Sequence, residues 1–219
     1  MKAERQERQL PRLPRRLGPA PALLDRDEIW EEVEAGAGTV VPEHATDCEV
    51  RSSRLTGVRF TGAEMQMLRL LDVTLDDCEF SGAVLMDATF IRVEFTRCRM
   101  SGLVAPGLMA RDVRWSECKL DGVNLRTAVF ERCEWDGCIM RGADFSAAKL
   151  THAAFSRCDL TEAEFFKAGC DQVRLHGSDL AGIKGAESLR GCAIGSDQVV
   201  PLALSVFATL GIVVDGEGE

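Results

Sequence analysis

The chain has 219 residues with 26 Lys/Arg against 35 Asp/Glu, a formal net charge of −9, and that length fits one domain with short appendages. No apolar run is long enough for a transmembrane helix, and Pro11 and Pro14 break the basic start before a signal-peptide core could form. A cytoplasmic protein without a membrane partner is expected.

Residues 1–22 carry six Lys/Arg, two Glu and four Pro and read as a disordered basic tail. Such a tail is either an arm for nucleic acid or an acidic partner, or a solubilising leader. Residues 23–47 read as an N-terminal helical cover segment. Within it, Asp25 or Asp27 can cap a short helix over 25–35 that carries Ile29, Trp30 and Val33 on one stripe and stops at Gly36.

Residues 48–184 hold a period of five. Every fifth residue from Val50 to Leu180 is a large hydrophobe, apart from Ala105, Ala110 and the smaller Cys170, and the residue two before each is small, mostly Ala, Cys or Val. Alternation puts residues i−2 and i on one face of a short extended segment. Four such segments close a square coil of twenty residues, so the stretch predicts an all-β solenoid of about seven coils. Cys78, Cys98, Cys118, Cys138 and Cys158 then form one column, and Trp115 stacks on Trp135. Gly62, Gly82, Gly102, Gly122 and Gly142 form another, where a corner with positive φ suits glycine. The nine Cys are expected to be reduced and structural. Near mid-rod, Leu103 and Leu108 exchange sizes with Ala105 and Ala110. A local bend or widened corner without loss of register is expected there.

Seven apolar residues fall at outward positions: Leu71, Val84, Met86, Ile91, Val104, Met109 and Val129. They map to two adjacent sides of the rod. Either residues 25–47 cover them, or they form a protein-binding or dimer surface. The outward charges alternate in sign from coil to coil, as in Arg59, Glu79, Arg99, and should pair across the ladder.

Residues 185–219 leave the repeat as a capping helix and tail. Ser196-Asp197-Gln198 starts a helix running to about Leu210, with Gly211 as its stop and Ile212-Val213-Val214 as a possible added strand. Val199, Leu202, Val206, Phe207 and Leu210 leave little polar face, so this helix should be buried and cap the coil's open end. His44, His152 and His176 are not at ligand spacing, and no nucleophile elbow, zinc helix or phosphate loop is present. No catalytic, metal or cofactor site is expected.

The repeated pattern of Ala143-Asp144-Phe145-Ser146-Ala147 and its neighbours resembles the pentapeptide-repeat family. The resemblance implies a right-handed quadrilateral β-helix. The best-known members of that family bind type II topoisomerases as DNA mimics, and in them an irregularity near mid-rod can matter for function. Leu189, Gly191, Asp197, Gln198 and Gly211 make the C-terminal tail similar to that of mycobacterial-type quinolone-resistance pentapeptide proteins, where this region forms a tail-to-tail dimer. Two functions follow as expectations: a non-catalytic protein-interaction rod, or a DNA mimic that binds DNA gyrase or topoisomerase IV. The mixed-sign coil speaks against the second.

Overall fold

The computed structural model describes residues 7–24 and 26–213. The five-residue alternation folds as its chemistry requires. On one side of the rod, parallel pairing runs Trp30, Val50, Leu70, Phe90, Ala110, Phe130, Leu150, Cys170, always twenty residues apart. We call this side 1. Sides 2, 3 and 4 follow it in each coil, centred for example on Leu75, Phe80 and Leu85. Seven turns separate Trp30 from Cys170, in a parallel β-solenoid with four sides. Between sides 1 and 2 the strand runs on through the corner in two coils, over Arg69–Asp76 and Thr89–Thr96.

The corner residue, two after each large hydrophobe, has positive φ in nearly every segment. Glycine does this at Gly62 and Gly82, but among the described residues twenty non-glycine residues do it too, including Asp72, Arg92, Asp112 and Arg132. That conformation costs an L-residue about 1–2 kcal/mol. It is held because the corner N–H donates into the next coil: Ser52 to the Leu71 carbonyl at 2.9 Å, Asp77 to Thr96 at 3.0 Å, Asp112 to Glu131 at 3.0 Å.

Both inward columns are buried and leave no channel. Trp115 stacks on Trp135 at 4.8 Å, and Trp135 stacks on Phe155 at 4.4 Å. Around Ala105 and Ala110 register is kept, with Val84, Val104 and Asn124 bridged in sequence. The size exchange leaves only a void of about 10 Å³ among Leu103, Leu108, Phe95 and Trp115.

Three expectations change. The helix expected over 25–35 is absent from the described residues 26–35: Ile29–Glu31 and Val33–Ala35 are strands joined at Glu32, whose φ is 55°. The five-residue register simply extends backwards, placing Trp30, Ala35 and Ala45 in the core. Pairing onto the open edge at Val50 and Leu55 satisfies backbone groups that a lone short helix could not help. Asp25, one of the two proposed caps, lies outside the described residues. This segment therefore lengthens the rod and does not fold over the outward apolar residues.

Second, the described part of the N-terminal tail is ordered against the rod. Gly18 and Pro19 pair with Val33 and Glu34, and Leu23 bridges Val40, a partial turn that closes the end over Leu24. Residues 1–6 lie outside the described residues.

Third, the C-terminal helix α1 (Val199–Thr209) forms after a short 3-10 turn at Ser196–Gln198, and Gly211 ends it at φ 69°. It is not buried. Only Ser205 is buried, while Leu202 and Val206 pack partly on the core. The coil end is closed instead by Gln198, whose Nε2 donates to the Leu175 and Ser178 carbonyls at 2.5 and 2.6 Å. Together with Ala186, Leu189 and the pairing of Ala193 with Arg174, this amide closes the coil, and α1 contributes only Leu202 and Val206. Ile212 and Val213 form no strand, and Val214 lies outside the described residues.

Candidate interaction surfaces

Most outward charges pair along the stack. Arg97 meets Asp76 and Asp77, Arg99 meets Glu79, Arg111 meets Glu131, and Arg126 meets Asp144. Arg114 and Arg157 share Asp136, Arg141 holds Asp159, and Lys184 holds Glu164. Opposite charges one coil apart place themselves within reach, as cross-strand neighbours do. The rod surface is thus largely self-neutralised.

The seven outward apolar residues divide between side 4 (Val84, Met86, Val104) and side 1 (Leu71, Ile91, Met109, Val129). Val84 bridges Val104, Leu71 pairs with Ile91, and Met109 pairs with Val129. Met86, Met109 and Val129 are 39%, 55% and 41% exposed, whereas the other four are half-buried. Ile91, Met109 and Val129 line a shallow groove of about 210 Å³ with Thr89 and Glu131 at its rim.

At the other end, Val199, Leu204, Phe207 and Leu210 of α1 are exposed, as is Phe166 on side 4. Leu202 and Val206 face the rod. Between α1 and the last coil lies an apolar groove of about 570 Å³, lined by Phe166, Ile183, Pro201, Leu204 and Ala208. Gly185 makes the close approach possible. A Cβ there would lie 2.6 Å from the Phe166 nitrogen.

A third feature was missed in the sequence. The corner column between sides 1 and 2 reads Asp72, Arg92, Asp112, Arg132. Arg92 holds Asp72 through two hydrogen bonds, 2.6 and 2.7 Å, and Arg132 holds Asp112 at 2.8 and 3.0 Å. Both carboxylates are buried. Burial alone would raise their pKa, but the guanidinium hydrogen bonds and the N–H groups of Arg12 and Gln9 outweigh it and hold both below the ordinary range. The strict alternation of sign in one column was the available signal.

The remaining chemistry is quiet. All nine cysteines are free. Hydrogen bonds from neighbouring thiols, then burial, push the Cys78, Cys118 and Cys158 thiols up, and burial pushes Cys133 to about 12. His44 sits beside Glu64 on the surface, 3.2 Å away. Among the described residues no group of three or more His, Cys, Asp or Glu is placed to hold a metal ion, and no helix is long and apolar enough to cross a membrane.

A filled core, a constant twenty-residue register and self-paired faces define a solenoid repeat protein. The family described as "Pentapeptide repeat region" matches residues 109–184, and that described as "Pentapeptide repeats (8 copies)" matches residues 69–102. Together they span half of the sequence: the chain belongs to the pentapeptide-repeat family. Among solved structures, a trypsin-treated variant of QnrB1, a plasmid-mediated fluoroquinolone resistance protein, is 19% identical, covers 90% of this chain and 95% of its own, and has a TM-score of 0.50. HetL, a pentapeptide repeat protein involved in heterocyst differentiation regulation from the cyanobacterium Nostoc sp. strain PCC 7120, is 18% identical over 80% of this chain and 81% of its own, with a TM-score of 0.24. At such identities the QnrB1 likeness is one of fold. No curated protein matches the chain in sequence.

Proposed function

We propose that the chain is a non-catalytic, cytoplasmic protein-interaction module whose rigid rod binds another protein along sides 4 and 1. The observation that carries this reading is the apolar strip of Ile91, Met109 and Val129 on side 1, with Met86 also exposed on side 4, on a rod whose outward charges are mostly ion-paired. Exposed apolar groups of this kind mark interaction sites when they lie together. The exposed side of α1, with Leu204, Phe207 and Leu210, is proposed as a second interface that joins two copies at their C-terminal ends.

Binding to DNA gyrase or topoisomerase IV as a DNA mimic is the alternative. It draws on the family resemblance, but the charge arrangement weighs against it. A mimic needs a continuous negative field, and here Asp76, Glu79, Asp136, Asp144 and Asp159 are each held by an arginine. The test is gyrase supercoiling with and without a quinolone. The interaction-module reading expects no inhibition or protection at tens of micromolar protein. Dose-dependent inhibition would reverse the order of the two readings.

A further inference from the structure

Residues 8–12 lie in the corner between sides 1 and 2 and run along the rod axis, crossing the coils. Arg8 reaches Glu94 at 2.7 Å and Glu134 at 3.7 Å, with its side chain only 6% exposed. The Gln9 N–H donates to Asp112 at 3.0 Å, and the Arg12 N–H donates to Asp72 at 2.9 Å. Each carboxylate also accepts two hydrogen bonds from an arginine one coil further on, one of them at the same Oδ1 that the arm uses.

The spacing explains the fit. Asp72 and Asp112 stand two coils apart, about 9.6 Å at the usual strand separation. Gln9 and Arg12 stand three residues apart, a reach of at most about 10 Å in an extended chain. Three extended residues therefore match two coils, and the N–H groups of Gln9 and Arg12 each meet a buried carboxylate. Pro11 and Pro14, which lack an N–H, fall between or beyond these donors. The corner recognises the backbone of an extended segment, plus one arginine preceding the first donor.

We propose that this corner is a docking groove for an extended, basic, proline-containing segment of a partner protein, and that residues 8–12 occupy it as a resident ligand which the partner segment displaces. The partner segment needs an Arg, a free N–H on the next residue and another three residues later. Its arginine complements Glu94 and Glu134, while the two aspartates, already paired with Arg92 and Arg132, accept its N–H groups. The groove is separate from the apolar strip, so the proposal does not depend on that strip binding anything.

The test uses the full chain. Q9P/R12P removes both donors from the arm while leaving every coil residue in place. A fluorescent peptide of residues 7–17 is titrated into wild type and variant, with anisotropy as readout. The variant should bind it at least about tenfold more tightly, because the competing arm at high effective concentration is gone. A peptide with proline in place of Gln9 and Arg12 should not bind. On unmodified protein, amide exchange should show Gln9 and Arg12 protected, Leu10 and Leu13 unprotected, and the protection lost on adding excess peptide. Equal peptide binding by wild type and variant, or uniform exchange along the arm, would overturn the proposal. So would a concentration-dependent dimer that Q9P/R12P abolishes, since the groove would then belong to the arm of a second copy.

Discussion

Trp135 lies at the centre of the aromatic stack and tests whether that stack holds the rod together. Its ring is 1% exposed, stacked on Trp115 and Phe155, and edge-on to Phe130 at 5.1 Å and Phe145 at 6.0 Å. Truncating a buried Trp to Ala costs about 3–5 kcal/mol through lost transfer energy and the cavity left behind. One contribution opposes this. The Trp135 indole Nε1 is buried without a hydrogen-bond partner, and removing an unsatisfied donor returns roughly 1–3 kcal/mol. Taking the middle of each range, Trp135→Ala should therefore destabilise by about 2 kcal/mol net. At about 2–4 °C per kcal/mol for a chain of this size, its melting temperature should drop by roughly 4–8 °C. Trp135→Phe keeps the stacking ring and also loses the orphan donor, so it should fall within about 1 kcal/mol of wild type. Thermal melts followed by circular dichroism measure both. A Trp135→Ala melt unchanged from wild type would refute the stacked-core account. A Trp135→Phe melt as low as that of Trp135→Ala would show that the indole N–H contributes favourably after all.

Other consequences can be measured on the same protein. Gly185→Ala places a Cβ against the Phe166 backbone at a φ of 71°. It should cost more than about 2 kcal/mol, whereas Gly142→Ala, at a φ of 61° with nothing within 4 Å, should cost about 1 kcal/mol; denaturant melts compare them. Maleimide labelling of the folded protein, read by mass spectrometry, should modify the half-buried Cys170 and Cys192 first, while the seven buried thiols wait for unfolding. Asp72 and Asp112 have lowered folded pKa values. Their contribution is complete above the ordinary carboxylate pKa of about 3.9 and is lost as pH falls through the lower folded values. Amide protection at Gln9 and Arg12 should hold from pH 7 to pH 5 and disappear only in stronger acid; loss between pH 7 and 5 would contradict the assignment.

The five-residue register was legible because side-chain burial here repeats without interruption, and it placed the coil, the Trp stack and the Cys column correctly. It failed at the N-terminal end, where Ile29, Trp30 and Val33 also fit a helical stripe. Local pattern could not separate the two periods over so short a segment. The open edge at Val50 decided between them through backbone pairing. The α1 helix was correctly located but wrongly expected to be buried, because the residues before it, Ala186, Leu189, Ala193 and the Gln198 amide, already close the coil. The arm was misread for a related reason. Its binding depends on backbone N–H groups at Gln9 and Arg12, which leave no mark on composition, and on carboxylates 60 and 103 residues away in sequence.

Sides 4 and 1 are proposed to form a protein-binding surface. The most direct test compares capture by immobilised wild type with capture by M109K/V129E. The two positions are directly paired, so the new charges can pair with each other as the other ladders do and leave the fold intact. The account predicts that a protein retained by wild type in stoichiometric amount is released by this change, while a control substitution at exposed Arg59 leaves it bound. Retention of the same protein by wild type and M109K/V129E alike, or no protein retained by either, would contradict it.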